Sequence, residues 1–240
     1  MSTEQNWELV GQLASAAANI GNQDLQLTIA NGSLGAGAKM TVGRDAMSLF
    51  SVESSSNDET LADLYVRGDD LIAKYRSSVD EFERELYWRI QRPDSQAESF
   101  ALEMIYSLQT DLLESQPDPC IVSTLKLQTL QYWTAAGDPL AGNLKWQKQD
   151  SAEGCQLITT KLDGGSCLAL AVYPSDLISM QLTQSSGETT VTCRLNAAFL
   201  EKGVIRRTRM FALCWGDELK EEAVIEIAQK FLDSEIPLTT

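Results

Sequence analysis

Through most of the chain apolar and polar residues alternate with a period of two, the pattern of strands that bury one face. The clearest case is Phe100, Leu102, Met104, Tyr106 and Leu108, an unbroken alternation. Leu25, Leu27 and Ile29 repeat it, and Asn31-Gly32 then supplies a turn. Further strands are predicted over residues 47–53, 61–67, 71–76, 82–90, 121–131 and 156–162. The last four fall at 167–172, 177–183, 189–196 and 204–215. Gly68-Asp69, Ser77-Ser78, a loop containing Pro93, Asp163-Gly164-Gly165 and Pro174-Ser175-Asp176 separate neighbouring strands. Residues 134–154, rich in Gly, Ala, Asp, Asn, Lys and Gln, read as a loop or weak strand.

Helical periodicity appears at both ends. Over residues 5–20, Trp7, Leu9, Val10, Leu13 and Ala17 approximate one face, and Gly21 is a stop signal. A second helix is expected from an Asp217 cap to Asp233, with Leu219, Ala223, Ile227 and Phe231 on one side. A short helix can begin at Asp111–Glu114 before Pro117 and Pro119 end it. The expected fold is therefore mainly β: antiparallel sheets, one long or two packed, with an N-terminal and a C-terminal helix.

The two halves echo one another. Val66–Ile72 aligns with Val172–Ile178 at a spacing of 106 residues, and Leu86–Ile90 with Val191–Leu195 at 105. Tyr106–Gln109 then faces Phe211–Cys214. These colinear matches predict an internal duplication, with a helix over 1–21, one β-rich unit over 22–118 and a second over 119–240.

Composition narrows the chemistry. The chain has 240 residues, a net charge of −15 and no histidine. Without imidazole, Ser-His-Asp and Cys-His relays and the usual histidine-containing metal sites are excluded. The negative charge disfavours nucleic acid and anionic lipid as partners. No run of apolar residues is long enough for a membrane-spanning helix. Five widely spaced cysteines form no Cys-x-x-Cys pair, and four sit within strand patterns as small core residues. With no basic leader before the first apolar residues, the cytoplasm is the expected compartment.

Motifs add little. Gly32–Met40 resembles a phosphate loop only superficially: Ala38 stands where the lysine belongs, and Met40 follows Lys39 where a hydroxyl is required. It reads as a flexible loop. Asp69-Asp70 and Asp80-Glu81-Phe82-Glu83 lack the alternation of a calcium loop and suit turns. No metal or cofactor is expected. Among 34 acidic residues, no catalytic carboxylate pair can be singled out, because their separation across a cleft decides that chemistry.

Arginines are the informative charges. Arg67, Arg76, Arg84, Arg89 and Arg92 fall in one window, and Arg194, Arg206, Arg207 and Arg209 in another where Glu201 is the sole acid. Guanidinium forks suit carboxylate, phosphate and sulfate, and equally suit cross-strand ion pairs. Strand 204–215 is polar on both faces in its first half and apolar on both in its second. The second half should be covered on both sides, and the first should project toward solvent or a cleft lined by Tyr87, Trp88 and Trp215. The candidate binding residues are thus Arg89, Arg194, Arg206, Arg207, Arg209 and Trp88. The expected function is a non-catalytic interaction or ligand-binding protein, for a protein partner or a small anionic or polar ligand. The alternative is a histidine-free enzyme using carboxylates on a small polar substrate such as a sugar.

Overall fold

The structure is a computed structural model that describes residues 7–53, 58–79, 81–91, 99–126, 129–137, 144–196, 199–216 and 220–235. The first strands are β1 (Glu8–Val10), β2 (Leu13–Ile20), β3 (Gln23–Ala30), β4 (Ala38–Val42) and β5 (Asp45–Glu53). Next come β6 (Thr60–Arg67), β7 (Asp70–Arg76), β8 (Phe82–Gln91), β9 (Ser99–Thr110) and β10 (Glu114–Ser115). Then follow β11 (Cys120–Leu125), β12 (Thr129–Ala136), β13 (Lys145–Gln149), β14 (Leu157–Lys161) and β15 (Cys167–Val172). The chain continues with β16 (Leu177–Ser185), β17 (Glu188–Leu195), β18 (Leu200–Glu201), β19 (Ile205–Trp215) and α1 (Glu221–Asp233).

These strands form two large antiparallel sheets, in the orders β1-β2-β3-β4-β5-β11-β17-β16 and β13-β12-β14-β15-β19-β9-β8-β7-β6. Inward-facing residues of the first sheet (Leu25, Leu27, Met40, Leu49, Ile121, Val191) share a core with Leu71, Trp88, Leu102, Met104 and Met210 of the second. The mainly β, antiparallel reading holds.

The expected N-terminal helix is absent: residues 8–10 and 13–20 are strands. Val10 and Leu13 pair across Gly11-Gln12, and Ile20 and Gln23 across Gly21-Asn22. Gly11 and Gly21 have φ of 60° and 55°, which lets a two-residue loop close the hairpin. Alanine's helix propensity yields here to pairing with β3 and to inward burial of Ala14 and Ile20. Gly32–Met40 is likewise not all loop. Leu34–Ala36 makes one tight helical turn, and β4 then buries Ala38, Met40 and Val42. A Cβ on Gly37 would stand 2.6 Å from the Leu49 carbonyl oxygen, so only glycine fits that approach. The helix expected at Asp111–Glu114 is also missing, Glu114 belonging to β10.

The strand order does not confirm the duplication. Leu86–Ile90 lies in the nine-stranded sheet, and its supposed counterpart Val191–Leu195 lies in the eight-stranded one. Val66–Ile72 is a hairpin within one sheet, whereas Val172–Ile178 carries the chain between sheets. Arg92, Pro93, Asp80, Leu127, Asp217 and Leu219 lie outside the described residues. The C-terminal helix is present but starts later than expected, at Glu221 with Lys220 as N-cap. Among the described residues no helix is long and apolar enough to cross a membrane.

Candidate binding groove

The outer face of the nine-stranded sheet is only partly covered. α1 lays Val224, Ile227, Ala228, Phe231 and Leu232 over Leu157, Ala169, Ala171, Phe211, Leu213, Trp133 and Trp146. The second half of β19 is therefore buried on both faces, as its two-sided apolar pattern requires. Thirteen residues of helix extend about 20 Å, and beyond them the face of β6 to β9 buries Ile72, Tyr87 and Ile105 in a small cluster of their own and borders an open groove.

On that face the strand register aligns side chains in rows. Asp63, Lys74, Glu85, Ser107 and Arg207 are successive partners across β6, β7, β8, β9 and β19. The next row is Tyr65, Ile72, Tyr87, Ile105 and Arg209, and the one after it Arg67, Asp70, Arg89, Glu103 and Phe211. An apolar and aromatic row thus runs between two rows of alternating charge. Lys74 Nζ lies 3.0 Å from Glu85 Oε2, and Arg76 Nε 3.1 Å from Glu83 Oε1. The hydrogen bond to Glu85 raises the Lys74 pKa against the opposing effect of burial. Arg89 donates to both Asp70 oxygens at 2.6 and 2.8 Å, and that bond raises its already high pKa.

Together these rows line an open groove of about 560 Å3 whose wall residues include Asp63, Tyr65, Arg67, Lys74, Arg76, Glu83, Glu85, Tyr87 and Arg207. Its cations Arg67, Lys74, Arg76, Arg84 and Arg207 outnumber the carboxylates Asp63, Glu83 and Glu85 in a chain of net charge −15. Arg207 is the one residue of the sequence-derived set that lines it.

The others are dispersed. Arg89 stands in the adjoining ion-paired row. Arg206 pairs in register with Leu108, on the opposite face, and is exposed. Arg194 lies in the other sheet and grips Asp118 at 2.6 and 2.8 Å. Trp88 is 0% exposed and stacks on Phe50 in the inter-sheet core, with centroids 6.4 Å apart. Arg209 is 1% exposed, held by Glu103, by the Ser234 hydroxyl and carbonyl, and by the Phe231 ring 4.7 Å away. Its backbone N–H donates to Asp176, whose carboxyl pKa is raised by burial. The sequence reading passed over Tyr65, Lys74 and Glu85, and assigned Glu83 to a turn. Their signal was the polar half of the β6–β8 alternation, which interleaves two tyrosines with charges of both signs.

Among the described residues no group of three His, Cys, Asp or Glu side chains is placed to hold a metal ion. A second, smaller hollow of about 190 Å3 lies beside the start of α1, between Thr129, Gln131, Thr159 and Trp215.

No family model matches the chain, and no curated protein matches it in sequence. Its structure is similar to a mutant of the heparan sulfate lyase HepC from Pedobacter heparinus, with TM-score 0.48 and 7% identity, covering 92% of this chain and 38% of that one. It is also similar to a protein from the human microbiome described as a kojibiose phosphorylase, with TM-score 0.45 and 11% identity, covering 96% and 36%. The chain spans less than two fifths of the length of either protein.

Proposed function

We propose that this chain is a non-catalytic binding protein whose open groove takes a small anionic or polar ligand, or the acidic loop of a partner protein. One observation carries the reading: the groove on the sheet face beyond α1 gathers five cations against three carboxylates, beside Tyr65 and Tyr87, in an otherwise strongly acidic molecule. Guanidinium and ammonium groups on adjacent strands suit carboxylate, phosphate or sulfate oxygens. Tyr65 and Tyr87 add an amphipathic surface beside them. The groove does not favour carboxylate catalysis, since Glu83 and Glu85 are each engaged by a neighbouring cation.

The test is a thermal-shift screen against dicarboxylates, phosphates, and neutral and sulfated sugars, followed by calorimetry on every compound that raises the melting temperature. Arg207→Ala and Arg67→Ala should each weaken an anionic ligand about tenfold, the scale of one charged hydrogen bond. Arg206→Ala, on the opposite face, should leave binding unchanged. If no compound shifts the melt, or if all three variants bind alike, the groove is not the recognition surface.

A further inference from the structure

Four strands terminate the two large sheets: β1, β16, β13 and β6. An open strand edge is a template for another strand unless it is short, charged with lysine or bent. β1 has three residues, and β13 carries Lys145 and Lys148. β16 is longer, but after its irregularity near Leu177–Ser179 it presents uncharged side chains that select neither a partner nor a register. β6 differs from all three.

Between Asp63 and Arg67 the sequence of β6 is Asp-Leu-Tyr-Val-Arg. Read backwards it exchanges an acid for a base and one aliphatic residue for another, and keeps tyrosine at the centre. Period-two alternation places Asp63, Tyr65 and Arg67 on the groove face, with Leu64 and Val66 half-buried on the core face. Among the described residues no strand pairs with this edge. Arg67 and Asp70 close a two-residue turn at Gly68-Asp69, with Gly68 at φ 59°, so they form a hydrogen-bonded pair with β7. Counting back, Tyr65 also bonds toward β7, while Leu64 and Val66 direct N–H and C=O outward. In agreement, the Leu64 N–H donates at 2.9 Å to the Asp63 Oδ1 of its own strand.

We propose that β6 pairs antiparallel with β6 of a second copy of this chain about a two-fold axis through Tyr65. Tyr65 then stands opposite its own counterpart, Leu64 opposite Val66, and Asp63 opposite Arg67, each of the latter contacts occurring twice by symmetry. The Leu64 N–H passes from Asp63 to the Val66 carbonyl of the second copy, and the released carboxylate meets Arg67 across the strands. The two nine-stranded sheets become one, and the two grooves join into a single cleft to which each copy adds Tyr65 and Arg67. The pairing does not depend on what the groove binds.

Sedimentation velocity on the full chain tests this. The native protein should sediment at twice 26.4 kDa, and Asp63→Arg and Arg67→Asp should each sediment at 26.4 kDa, because like charges then face one another. The double reversal Asp63→Arg/Arg67→Asp should restore the larger species, and Thr183→Arg on β16 should leave it intact. Tyr65→Cys should form an intermolecular disulfide under mild oxidation, since Cα atoms of a directly opposed, non-hydrogen-bonded pair lie about 4.5 Å apart. A single cooperative thermal melt shows that each variant is folded. A native chain that stays at 26.4 kDa at every loading concentration overturns the proposal. So does a dimer indifferent to both single reversals, or a double reversal that stays monomeric.

Discussion

Arg209 sits 1% exposed between a sheet and a helix, and each of its three guanidinium nitrogens donates to a fixed acceptor: Glu103 at 2.8 Å, and the Ser234 carbonyl and hydroxyl at 2.7 Å each. Glu103 takes a further bond from Gln91 at 2.9 Å. Removing one member of such a buried pair leaves a charge without compensation. Arg209→Met should therefore cost about 3–5 kcal/mol, whereas Arg209→Met with Glu103→Leu should recover most of that loss in urea denaturation. The arginine run that contains it was legible as a charge cluster. Its dispersal was legible too, because alternation sends Arg206 and Arg207 to opposite faces. What no local pattern showed is that two residues beyond Arg207 the groove face passes beneath α1, turning a candidate binding arginine into an internal tie. Cys193 and Cys214 are core residues as their strand positions suggested, whereas Cys120 and Cys167 are half-buried: burial pushes the Cys193 and Cys214 thiols up to about 12, far from reactive thiolates.

At the level of elements, α1 shows an end left unfinished. Its N-cap is Lys220, extended at φ −72° and ψ 149°, with no side-chain bond to the first-turn N–H groups. A cation there also faces the positive end of the helix dipole. Lys220→Ser should supply the missing acceptor and stabilise the fold by about 1 kcal/mol, measurable as a raised urea midpoint at unchanged slope. The strands were the legible elements: alternation located β5 to β9 and β14 to β19 closely, apart from the two-residue β18. The N-terminal misreading has a simple cause. Alanines satisfy either period, and the deciding marks are Gly11 and Gly21, each with positive φ at the head of a two-residue loop. Gly43 and Gly68 repeat the device at φ 57° and 59°.

For the molecule as a whole, a net charge of −15 on one folded unit is a repulsion that unfolding relieves. Added sodium chloride should therefore raise the melting temperature between about 10 and 150 mM, where the screening length falls from about 30 to 8 Å. A melt that fell over that range would mean the cross-strand ion pairs outweigh the net repulsion. The amino-acid order by itself determined that this chain builds antiparallel sheets, that the second half of β19 is enclosed, and that histidine chemistry is closed to it, because period-two patterning and residue inventory are local properties. Tertiary structure decided which sheet each strand joins, how far α1 reaches, and hence which charged rows pair internally and which border the groove. Those outcomes depend on contacts between residues far apart in the chain, and alternation is the same for every strand whichever neighbour it takes.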